Sequence, residues 1–426
     1  MKKLGVAILG LGVVGGGTYK ILTDNKEYFK KTQKLDITVE TVLEKYVERA
    51  KALGIPDETV ASSIEEVVTN PNVDVVVEVI GGIEPARTFV LKALKSGKSV
   101  VTSNKELICK HWYELEAEAK KSNAGLYFEA SCVGGVPIIR TLNDGMQANN
   151  ISSIVGIING TTNYILTKME TCGSSYQDAL KEAQSLGYAE FNPTADVEGF
   201  DASYKLSILS SLAFSKRIPL ENVYREGITK VTQEDIAYGK KLGYKIKLLA
   251  IGKNTKDGVE VRVHPAFVPE SSMLASVSDS FNAVKLVGDS VGEVMLYGRG
   301  AGALPTGSAI VSDIIYAGKH PEICYSTFEN TKQADKSTKF VTDFTTKYFI
   351  RLRVLDKIGV LSKMSGVFAK NGVSLKEVKQ DSAENGYVNL IIITHETREM
   401  ALRKTLDKLS SMEDIVAVDS LIRVEE

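Results

Sequence analysis

A glycine-rich segment near the N-terminus constrains this chain more than any other feature. Residues 10–15 read Gly-Leu-Gly-Val-Val-Gly and directly follow the apolar run Leu4–Leu9, which is typical of a buried strand. Gly10 would allow a tight turn, Gly12 would let the backbone approach a pyrophosphate, and Gly15 would let the following helix lie close to the strand. Free N–H groups at the start of that helix would face the phosphates. The placement after the first strand therefore favours dinucleotide binding over a glycine-rich turn without a ligand.

The pattern around this segment predicts an α/β fold. From Lys3 to about Ser131, short strand-like runs alternate with amphipathic helical segments, which is typical of a parallel sheet covered by helices. We therefore expect a Rossmann-type nucleotide-binding domain over residues 1–133, with residues 298–320 packing back on it. The expected strands are Gly5–Leu9, Thr38–Leu43, Val73–Ile80, Ser99–Thr102 and Leu126–Glu129.

The remainder of the chain divides into two further domains. Residues 134–297 mix longer helical periods with alternating strands, which predicts an α+β substrate-binding and dimerisation domain. Residues 321–346 are polar and poorly patterned, as expected of a linker. Residues 347–426 predict a ferredoxin-like βαββαβ domain. Its expected elements are strand Tyr348–Leu355, helix Gly359–Lys370, strands Ser374–Gln380 and Val388–Thr394, helix Glu396–Leu409 and strand Val416–Val424.

The charge balance and the cysteines argue against several classes of protein. The 426 residues carry 52 Lys and Arg against 53 Asp and Glu, which does not suit a surface that binds nucleic acid or an anionic membrane. The four cysteines lie far apart without a C-x-x-C pair, so neither a zinc site nor a disulfide framework is indicated. No run approaches the roughly 18 apolar residues that a membrane-spanning helix needs. We therefore expect a soluble protein of the reducing cytoplasm with small-molecule partners.

The end of the second predicted strand bears on the choice of cofactor. It reads Leu43-Glu44-Lys45, so an acidic and a basic side chain stand next to each other. The acid would suit the ribose 2′-hydroxyl of NAD, whereas the cation would suit the 2′-phosphate of NADP. The sequence therefore leaves NAD and NADP as open alternatives.

Six further motifs resemble those of homoserine dehydrogenases, and the similarity covers essentially the first 320 residues. The resemblance implies an NAD(P)-dependent enzyme, a homodimer or homotetramer, that interconverts L-aspartate 4-semialdehyde and L-homoserine in threonine and methionine biosynthesis. The motifs span residues 77–85 (Val-Glu-Val-Ile-Gly-Gly-Ile-Glu-Pro), 101–107, 129–137, 156–164, 187–190 continuing to Lys205, and 298–302 with Pro305-Thr306. The cofactor-binding residues it indicates are Gly10, Gly12, Val13, Val14, Gly15, Lys45, Thr102, Ser103, Lys105 and Gly302.

Two lysines are the candidate catalytic residues. Reduction of an aldehyde needs a proton for the developing alkoxide and a cation near that oxygen, and lysine suits both tasks. Lys105 follows a predicted parallel strand at the edge where such sheets bind ligands, and Lys205 follows Asp201 by four residues on a predicted helix. Taken alone, each lysine is more often a solvated surface cation. By the resemblance, Lys205 is the proton donor and Lys105 lies against nicotinamide and substrate; we expect the two lysines to depress each other's pKa.

An acidic segment provides the candidate substrate-binding residues. A carboxylate can bind the ammonium group of homoserine and orient it. By the resemblance, Glu190 has this role, Gly187 and Tyr188 belong to the same motif, and Asp201 would orient the substrate or Lys205. The alternative for Asp196 and Asp201 is capping of the following helix and compensation of its dipole. Phe191 stands where the family more often has a small residue or proline.

A monovalent-cation site is implied by the resemblance alone. Glu129 would supply a carboxylate oxygen, and Cys132, Gly134 and Val136 would supply backbone carbonyls around sodium. Hard cations prefer such oxygen ligands. The alternative is a tight turn that needs glycine.

The C-terminal segment that opens Tyr348-Phe-Ile-Arg-Leu resembles an ACT domain, a type of module that pairs through its sheets and binds amino acids. Asp356 and Gly359 stand at the turn before its first helix, where a carboxylate and free N–H groups could receive an amino acid. The resemblance implies L-threonine as the effector. A purely structural dimerisation domain is the alternative.

Two competing functions remain. A semialdehyde dehydrogenase that acts through a cysteine thioester would need an activated thiol, and no cysteine has a suitable sequence context. A non-catalytic amino-acid sensor on a dehydrogenase-like fold would be expected to have lost catalytic residues, yet Lys105, Glu190, Asp201 and Lys205 are all present.

Overall fold

The N-terminal domain contains a parallel sheet of Rossmann type. The computed structural model describes residues 1–321, 338–381 and 386–425. Six strands pair in the order β3-β2-β1-β4-β5-β6, all parallel. This confirms the fold predicted from the alternating pattern. Its elements are β1 (Lys2–Leu9), α1 (Val13–Asp24), α2 (Lys26–Gln33), β2 (Leu35–Leu43), α3 (Val47–Ala52), β3 (Val60–Ala61), α4 (Ile64–Thr69), β4 (Val75–Glu78), α5 (Ala86–Lys95), β5 (Ser99–Thr102), α6 (Lys105–Lys121) and β6 (Leu126–Tyr127).

Two predicted strands are shorter in the structure. The strand expected over Val73–Ile80 is β4 and ends at Glu78, because the Glu78 carboxylate accepts the backbone N–H groups of Ile80 and Gly81 and turns the chain. The strand expected over Leu126–Glu129 is β6 and ends at Tyr127. Glu129 begins a short 3₁₀ turn.

The central domain follows, with a mixed arrangement of helices and mostly antiparallel strands. Many of its apolar residues belong to the same hydrophobic core as the N-terminal domain. Other strand residues, such as Ile157, Ile251 and Ala283, form a separate hydrophobic cluster. The elements are α7 (Ile138–Arg140), β7 (Ile151–Ile157), α8 (Gly160–Cys172), α9 (Tyr176–Ser185), α10 (Thr194–Val197), α11 (Phe200–Phe214), β8 (Tyr224–Arg225), α12 (Gln233–Lys241), β9 (Tyr244–Thr255), β10 (Gly258–Pro269), β11 (Phe281–Gly288), β12 (Gly292–Arg299) and α13 (Ala303–Lys319).

Helix α13 returns to the N-terminal domain and packs on α1. Gly17 permits the close approach, because a Cβ atom there would lie 2.4 Å from the carbonyl oxygen of Ala303. Gly307 faces the backbone of Thr18 in the same way. The glycines after the nucleotide loop therefore also serve helix packing.

The C-terminal domain has the predicted βαββαβ order with one additional short strand. Both faces of its first strand are largely buried, and the alternate residues Tyr348, Ile350, Leu352 and Val354 belong to the hydrophobic cluster formed with its own two helices. Its elements are β13 (Thr345–Leu355), α14 (Val360–Lys370), β14 (Leu375–Gln380), β15 (Tyr387–Thr394), β16 (Thr397–Arg398), α15 (Glu399–Ser410) and β17 (Ile415–Val424).

The central and C-terminal domains share one sheet. Strand β10 pairs in parallel with β17, with Ala266 opposite Arg423 and Phe267 opposite Val424. The strand order is β12-β11-β7-β9-β10-β17-β13-β15-β14. The C-terminal domain is therefore joined to the central domain by backbone hydrogen bonds as well as by side chains.

The predicted linker, 321–346, is described only in part, since 322–337 lie outside the described residues. In the remainder, Phe344 is buried and β13 already begins at Thr345. None of the helices in the described part of the chain has the length and apolar character needed to cross a membrane.

Candidate active site

The two candidate lysines meet at one carboxylate. The ammonium group of Lys105 lies 3.0 Å from Oδ1 of Asp201, and that of Lys205 lies 2.6 Å from Oδ2. Asp201 and Lys205 are both buried, whereas 40% of the Lys105 side chain is exposed. Lys105 belongs to the N-terminal domain and the other two residues to the central domain. The structure therefore brings the two ammonium groups to a shared position in the cleft between these domains.

Local interactions place Lys105 at the sheet edge. It is the first residue of α6, where the side chain of Asn104 accepts the N–H of Leu107 at 3.0 Å and donates to the carbonyl of Gly82 at 2.6 Å. The hydroxyl of Thr102, at the end of β5, donates to the buried carboxylate of Glu78 at 2.6 Å. These bonds hold the ends of β4 and β5 together and fix the start of α6.

Helix α11 carries the other two residues on one face. Gly199 precedes it with φ of 78°, a conformation that favours glycine, so the chain turns sharply before Asp201 in the first turn. Lys205, one turn later, also donates to the carbonyl of Ile158 at 2.9 Å. Asp201 and Lys205 thus form a buried i,i+4 ion pair, and Lys205 is not the solvated surface cation considered as an alternative.

The expected mutual depression of the lysine pKa values is wrong for Lys105. The negative charge of Asp201 raises the pKa of Lys105, against the effect of burial. For Asp201, burial favours the neutral acid, but the two lysines outweigh it and hold the pKa of this carboxyl well below its usual range. Repulsion between two lysines alone would lower the pKa of Lys105, but the negative charge of Asp201 between them reverses the sign of that shift.

Asn159 is a site residue to which the sequence analysis assigned no role. Its side-chain N–H groups donate to Asp196 at 2.7 Å and to Asp201 at 2.9 Å. Its side-chain oxygen Oδ1 accepts a hydrogen bond from the backbone N–H of Thr162 at 2.8 Å and so caps α8. Burial, followed by the charge of Asp201, raises the pKa of Asp196. The signal was an Asn before a helical run, which predicts a cap but not a bridge between two carboxylates.

The loop that carries Glu190 lies over the start of α8. The carbonyl of Tyr188 accepts the hydroxyl of Thr161 at 2.6 Å, and Gly187 has a φ of 76°. Glu190 and Phe191 are exposed, and no contact joins the Glu190 carboxylate to either lysine in the described part of the chain. The structure thus brings Asp196, but not Glu190, into the lysine cluster.

The nucleotide loop has the geometry expected from its glycines. Gly10 has a φ of 96°, a Cβ atom on Gly12 would meet only open space, and one on Gly15 would lie 2.0 Å from the carbonyl oxygen of Gly10. A cavity of about 1000 Å³ opens beside the loop. The buried carboxylate of Glu44 accepts the N–H groups of Leu11 and Tyr46, and its neighbours in the cavity wall are Lys45, Arg49 and Lys51.

The other predicted cofactor residues lie at the cleft or near it. Thr102 is buried against Glu78, Ser103 is half-buried, and Val13 is exposed and Val14 half-buried at the start of α1. Gly302 has a φ of 118° before α13.

The predicted cation site is centred on a buried carboxylate. The two oxygens of Glu129 accept the N–H groups of Ile139 and Arg140, at 2.8 and 2.7 Å. Burial and the nearby Asp313 raise the pKa of Glu129. Gly134 has a φ of 55°, and the carbonyl of Val136 accepts the N–H of Ile138 at 2.8 Å.

Burial works against activation of the thiol at two of the cysteines in the described part of the chain. Burial raises the pKa of the Cys132 thiol to about 12 and that of Cys109 to about 11. Cys132 lies beneath Lys205, with its sulfur 3.9 Å from the carbonyl oxygen of that residue. A thioester mechanism is disfavoured at both positions.

The predicted regulatory residues lie on an exposed loop. Asp356 and Gly359 are both exposed between β13 and α14, and Gly359 has a φ of 92°. Helix α14 ends at Lys370, as predicted, and begins one residue later than predicted, at Val360.

Comparisons with known proteins cover the whole chain. Residues 137–315 match the model of the family "Homoserine dehydrogenase", residues 10–129 match "Homoserine dehydrogenase, NAD binding domain", and residues 348–414 match "ACT domain". A homoserine dehydrogenase of Bacillus subtilis is 40% identical over 100% of this chain and 99% of its own length.

Two solved structures are informative. A homoserine dehydrogenase from Thiobacillus denitrificans, 38% identical, superposes with a TM-score of 0.93 and covers 100% of this chain and 99% of its own. A hyperthermophilic archaeal homoserine dehydrogenase in complex with NADPH, 31% identical, gives a TM-score of 0.63 over 74% of this chain and 97% of its own.

Proposed function

The chain belongs to the homoserine dehydrogenase family, and on that premise we propose that it reduces L-aspartate 4-semialdehyde to L-homoserine, on the route to threonine and methionine. The observation that carries the proposal is the ion-paired cluster of Lys105, Asp201 and Lys205, with Lys105 at the same edge of the parallel sheet as the nucleotide loop. It supplies a proton and positive charge at one place, which carbonyl reduction requires.

In the proposed reaction, the bound nicotinamide supplies a hydride to the carbonyl carbon. Lys205 donates a proton from Nζ to the carbonyl oxygen as negative charge develops there. Lys105 stabilises that charge from the other side of the cleft. Asp201 keeps both ammonium groups in position and, because its own pKa is so low, does not compete for the proton.

Substrate binding is assigned to the loop over α8. Glu190 would bind the substrate ammonium group after the loop bends inward, since its carboxylate is exposed and lies away from the lysines in this structure. Gly187 permits that bend, and Tyr188 anchors the loop through Thr161. Asp196 adds negative charge on the same side of the site.

We propose NADP(H) as the preferred cofactor. Both oxygens of the Glu44 carboxylate already accept a hydrogen bond from a backbone N–H group. The carboxylate is therefore poorly placed to accept a further hydrogen bond from a ribose hydroxyl. Lys45, Arg49 and Lys51 in the same cavity wall suit a 2′-phosphate. The archaeal relative solved with NADPH supports the same choice.

A monovalent cation such as sodium fits the loop near Glu129. Glu129 and Asp313 are both buried, and Arg140 is the cation that contacts Asp313 in the described residues, so negative charge exceeds positive charge there. Carbonyls of Cys132, Gly134 and Val136 would complete an oxygen shell and hold the loop beneath Lys205. Binding is tested by thermal unfolding of the protein and of Glu129→Gln in sodium against tetramethylammonium chloride. Stabilisation by sodium in both proteins or in neither contradicts the assignment.

We propose that L-threonine regulates the enzyme through the ACT domain and that the protein is a homodimer or homotetramer. The matched ACT model supports an amino-acid effector. The cytoplasmic location expected from the sequence also stays a prediction.

One assay tests the activity, the cofactor preference and the regulation by threonine. Oxidation of NADPH and of NADH is followed with aspartate 4-semialdehyde, with and without L-threonine. We expect turnover with both cofactors, faster with NADPH, and inhibition by threonine. Absence of turnover with either cofactor would favour the non-catalytic sensor.

A further inference from the structure

A cavity of about 470 Å³ lies at the junction of the central and ACT domains, away from the cleft that holds the lysines. One wall is the segment around β8 and the turn before α11; the other is β17 and the start of α15. We call it the junction cavity. The residues used in the argument are Glu198, Arg225 and Lys230 from the central domain, and Arg403, Asp419 and Ser420 from the ACT domain.

We propose that the junction cavity binds a small zwitterionic amino acid and that its occupancy acts on Asp201. The inference rests on the proposed regulation by an amino acid and gives that regulation a place. It differs from the Asp356–Gly359 loop, which was the site expected from the sequence.

The cavity offers both signs of charge that a zwitterion needs. Lys230 is exposed at its mouth, and the guanidinium of Arg225 lies 3.4 Å from the centre of the Phe200 ring. These two cations suit an α-carboxylate. The carboxylate of Glu198, which accepts the hydroxyl of Thr229 at 3.2 Å, suits an ammonium group, whereas that of Asp419 already lies 3.3 Å from the guanidinium of Arg353.

The back of the cavity is an ion-pair network around a buried arginine, and it couples the two domains. Arg423 on β17 is fully buried and donates to Glu226 at 2.7 and 3.1 Å. Arg403 on α15 lies 3.0 Å from the same carboxylate. Burial raises the pKa of Glu226, but the two guanidinium groups and Tyr224 outweigh it and lower that pKa to about 2. The ACT domain and residues 224–226 should therefore move together.

The same segment is bound to the turn that positions Asp201. Arg225 donates to the carbonyl of Glu198 at 2.7 Å, and the N–H of Ile228 donates to the carbonyl of Val197 at 2.8 Å. At Gly227 a Cβ atom would lie 2.2 Å from that Val197 oxygen, so the two backbones are in direct contact. Residues 197–200 connect Asp196 with Asp201. A ligand that shifts the cavity wall would therefore shift the carboxylate that holds both lysines.

The test is calorimetric titration of the full-length protein with L-threonine and then with a panel of the standard amino acids. Thr229→Trp fills the mouth of the cavity, and Lys230→Glu reverses a charge there. Both positions are exposed, so both variants are expected to fold. The matched control is Lys357→Glu, the same change at an exposed lysine in the loop between Asp356 and Gly359.

We expect Kd for the amino acid to rise at least tenfold in Thr229→Trp and in Lys230→Glu and to stay unchanged in Lys357→Glu. L-Threonine methyl ester, which has no carboxylate charge, should bind tenfold more weakly than threonine. Saturating amino acid should lower kcat while the Kd for NADPH is unchanged, because the contacts lead to Asp201 and not to the nucleotide loop.

The outcomes separate the two proposals. If threonine does not bind but another amino acid does, with the same variant pattern, threonine regulation is wrong and the junction site stands. Binding that survives both cavity variants, and binding lost only in Lys357→Glu, each overturn the junction site. If no amino acid binds the unmodified protein, both proposals fail.

Discussion

Lys105, at the first residue of a helix in the N-terminal domain, has its ammonium group 3.0 Å from the carboxylate of Asp201 in the central domain. This contact crosses the cleft between the two domains. The carboxylate that positions one lysine on its own helix therefore also positions the lysine of the other domain. The alignment of the site thus depends on how the two domains are docked.

Asp201→Asn keeps the shape of this side chain but removes its charge. Because Asp201 raises the pKa of Lys105, that pKa should fall in the variant, and the activity lost on the alkaline side should be lost at lower pH. We expect kcat to fall by about 100-fold, the scale of positioned acid–base catalysis. A kcat–pH profile checks this, with Asp178→Asn, an exposed aspartate on α9, as the control. An unshifted alkaline limb would contradict the account.

Lys205→Ala removes the proposed proton donor. We expect kcat to fall by about 10²- to 10⁴-fold while the Kd for NADPH, measured by fluorescence, stays within about twofold. Lys181→Ala, at an exposed lysine on α9, should change neither quantity. Turnover by Lys205→Ala close to that of the unmodified protein would reject the assignment.

Asn159 is predicted to act by positioning two carboxylates. Asn159→Ala and Asn159→Asp both lose the N–H groups that bind Asp196 and Asp201, but only the second adds negative charge. We expect kcat to fall by roughly tenfold or more in both. In Asn159→Asp the loss should shrink as the pH is lowered and the new carboxyl is protonated, whereas a purely structural role predicts parallel pH profiles.

Cofactor preference should depend on the cations in the nucleotide cavity. Arg49 lies 3.4 Å from Glu44 and lines the cavity with Lys45. In the double variant Lys45→Ala/Arg49→Ala, kcat/KM for NADPH should fall about tenfold or more and that for NADH should change little, since only NADPH carries the 2′-phosphate. Lys31→Ala, at an exposed lysine on α2, is the control. Equal losses with both cofactors would contradict a 2′-phosphate site.

The free energy of unfolding should fall in mild acid because of a buried histidine, His264, beside the ACT domain. His264 is fully buried beside Arg262 and Arg423, and burial followed by these two charges holds its pKa well below the usual value of 6.5. The stability associated with neutral His264 is therefore complete above about pH 6.5 and decreases as the pH falls below it, by about 1.4 kcal/mol at pH 5.5. Urea unfolding at pH 7.5 and 5.5 measures the change.

The matched variant for this effect is His264→Gln, which has no titrating group. It should show a smaller loss of unfolding free energy between these two pH values than the unmodified protein. The same loss in both proteins would place the pH dependence elsewhere.

Local patterns carried much of the prediction. The glycines at 10, 12 and 15, the apolar runs of the parallel strands and the βαββαβ order of the C-terminal domain are local signals, because turn geometry and side-chain periodicity are set by neighbouring residues. The two lysines were selected by chemistry and family motifs. The sequence predicted a contact with Asp201 only for Lys205, which follows it by four residues on the same helix.

The order of the helices and strands could be predicted from the sequence alone, because it follows from patterns within a few positions along the chain. Tertiary structure alone decided that Lys105 also binds Asp201, that Asn159 bridges two carboxylates, and that β17 extends the central sheet through β10. Those relationships join residues tens to more than a hundred positions apart. Their distances, and the sign of the resulting pKa shifts, depend on how the domains pack.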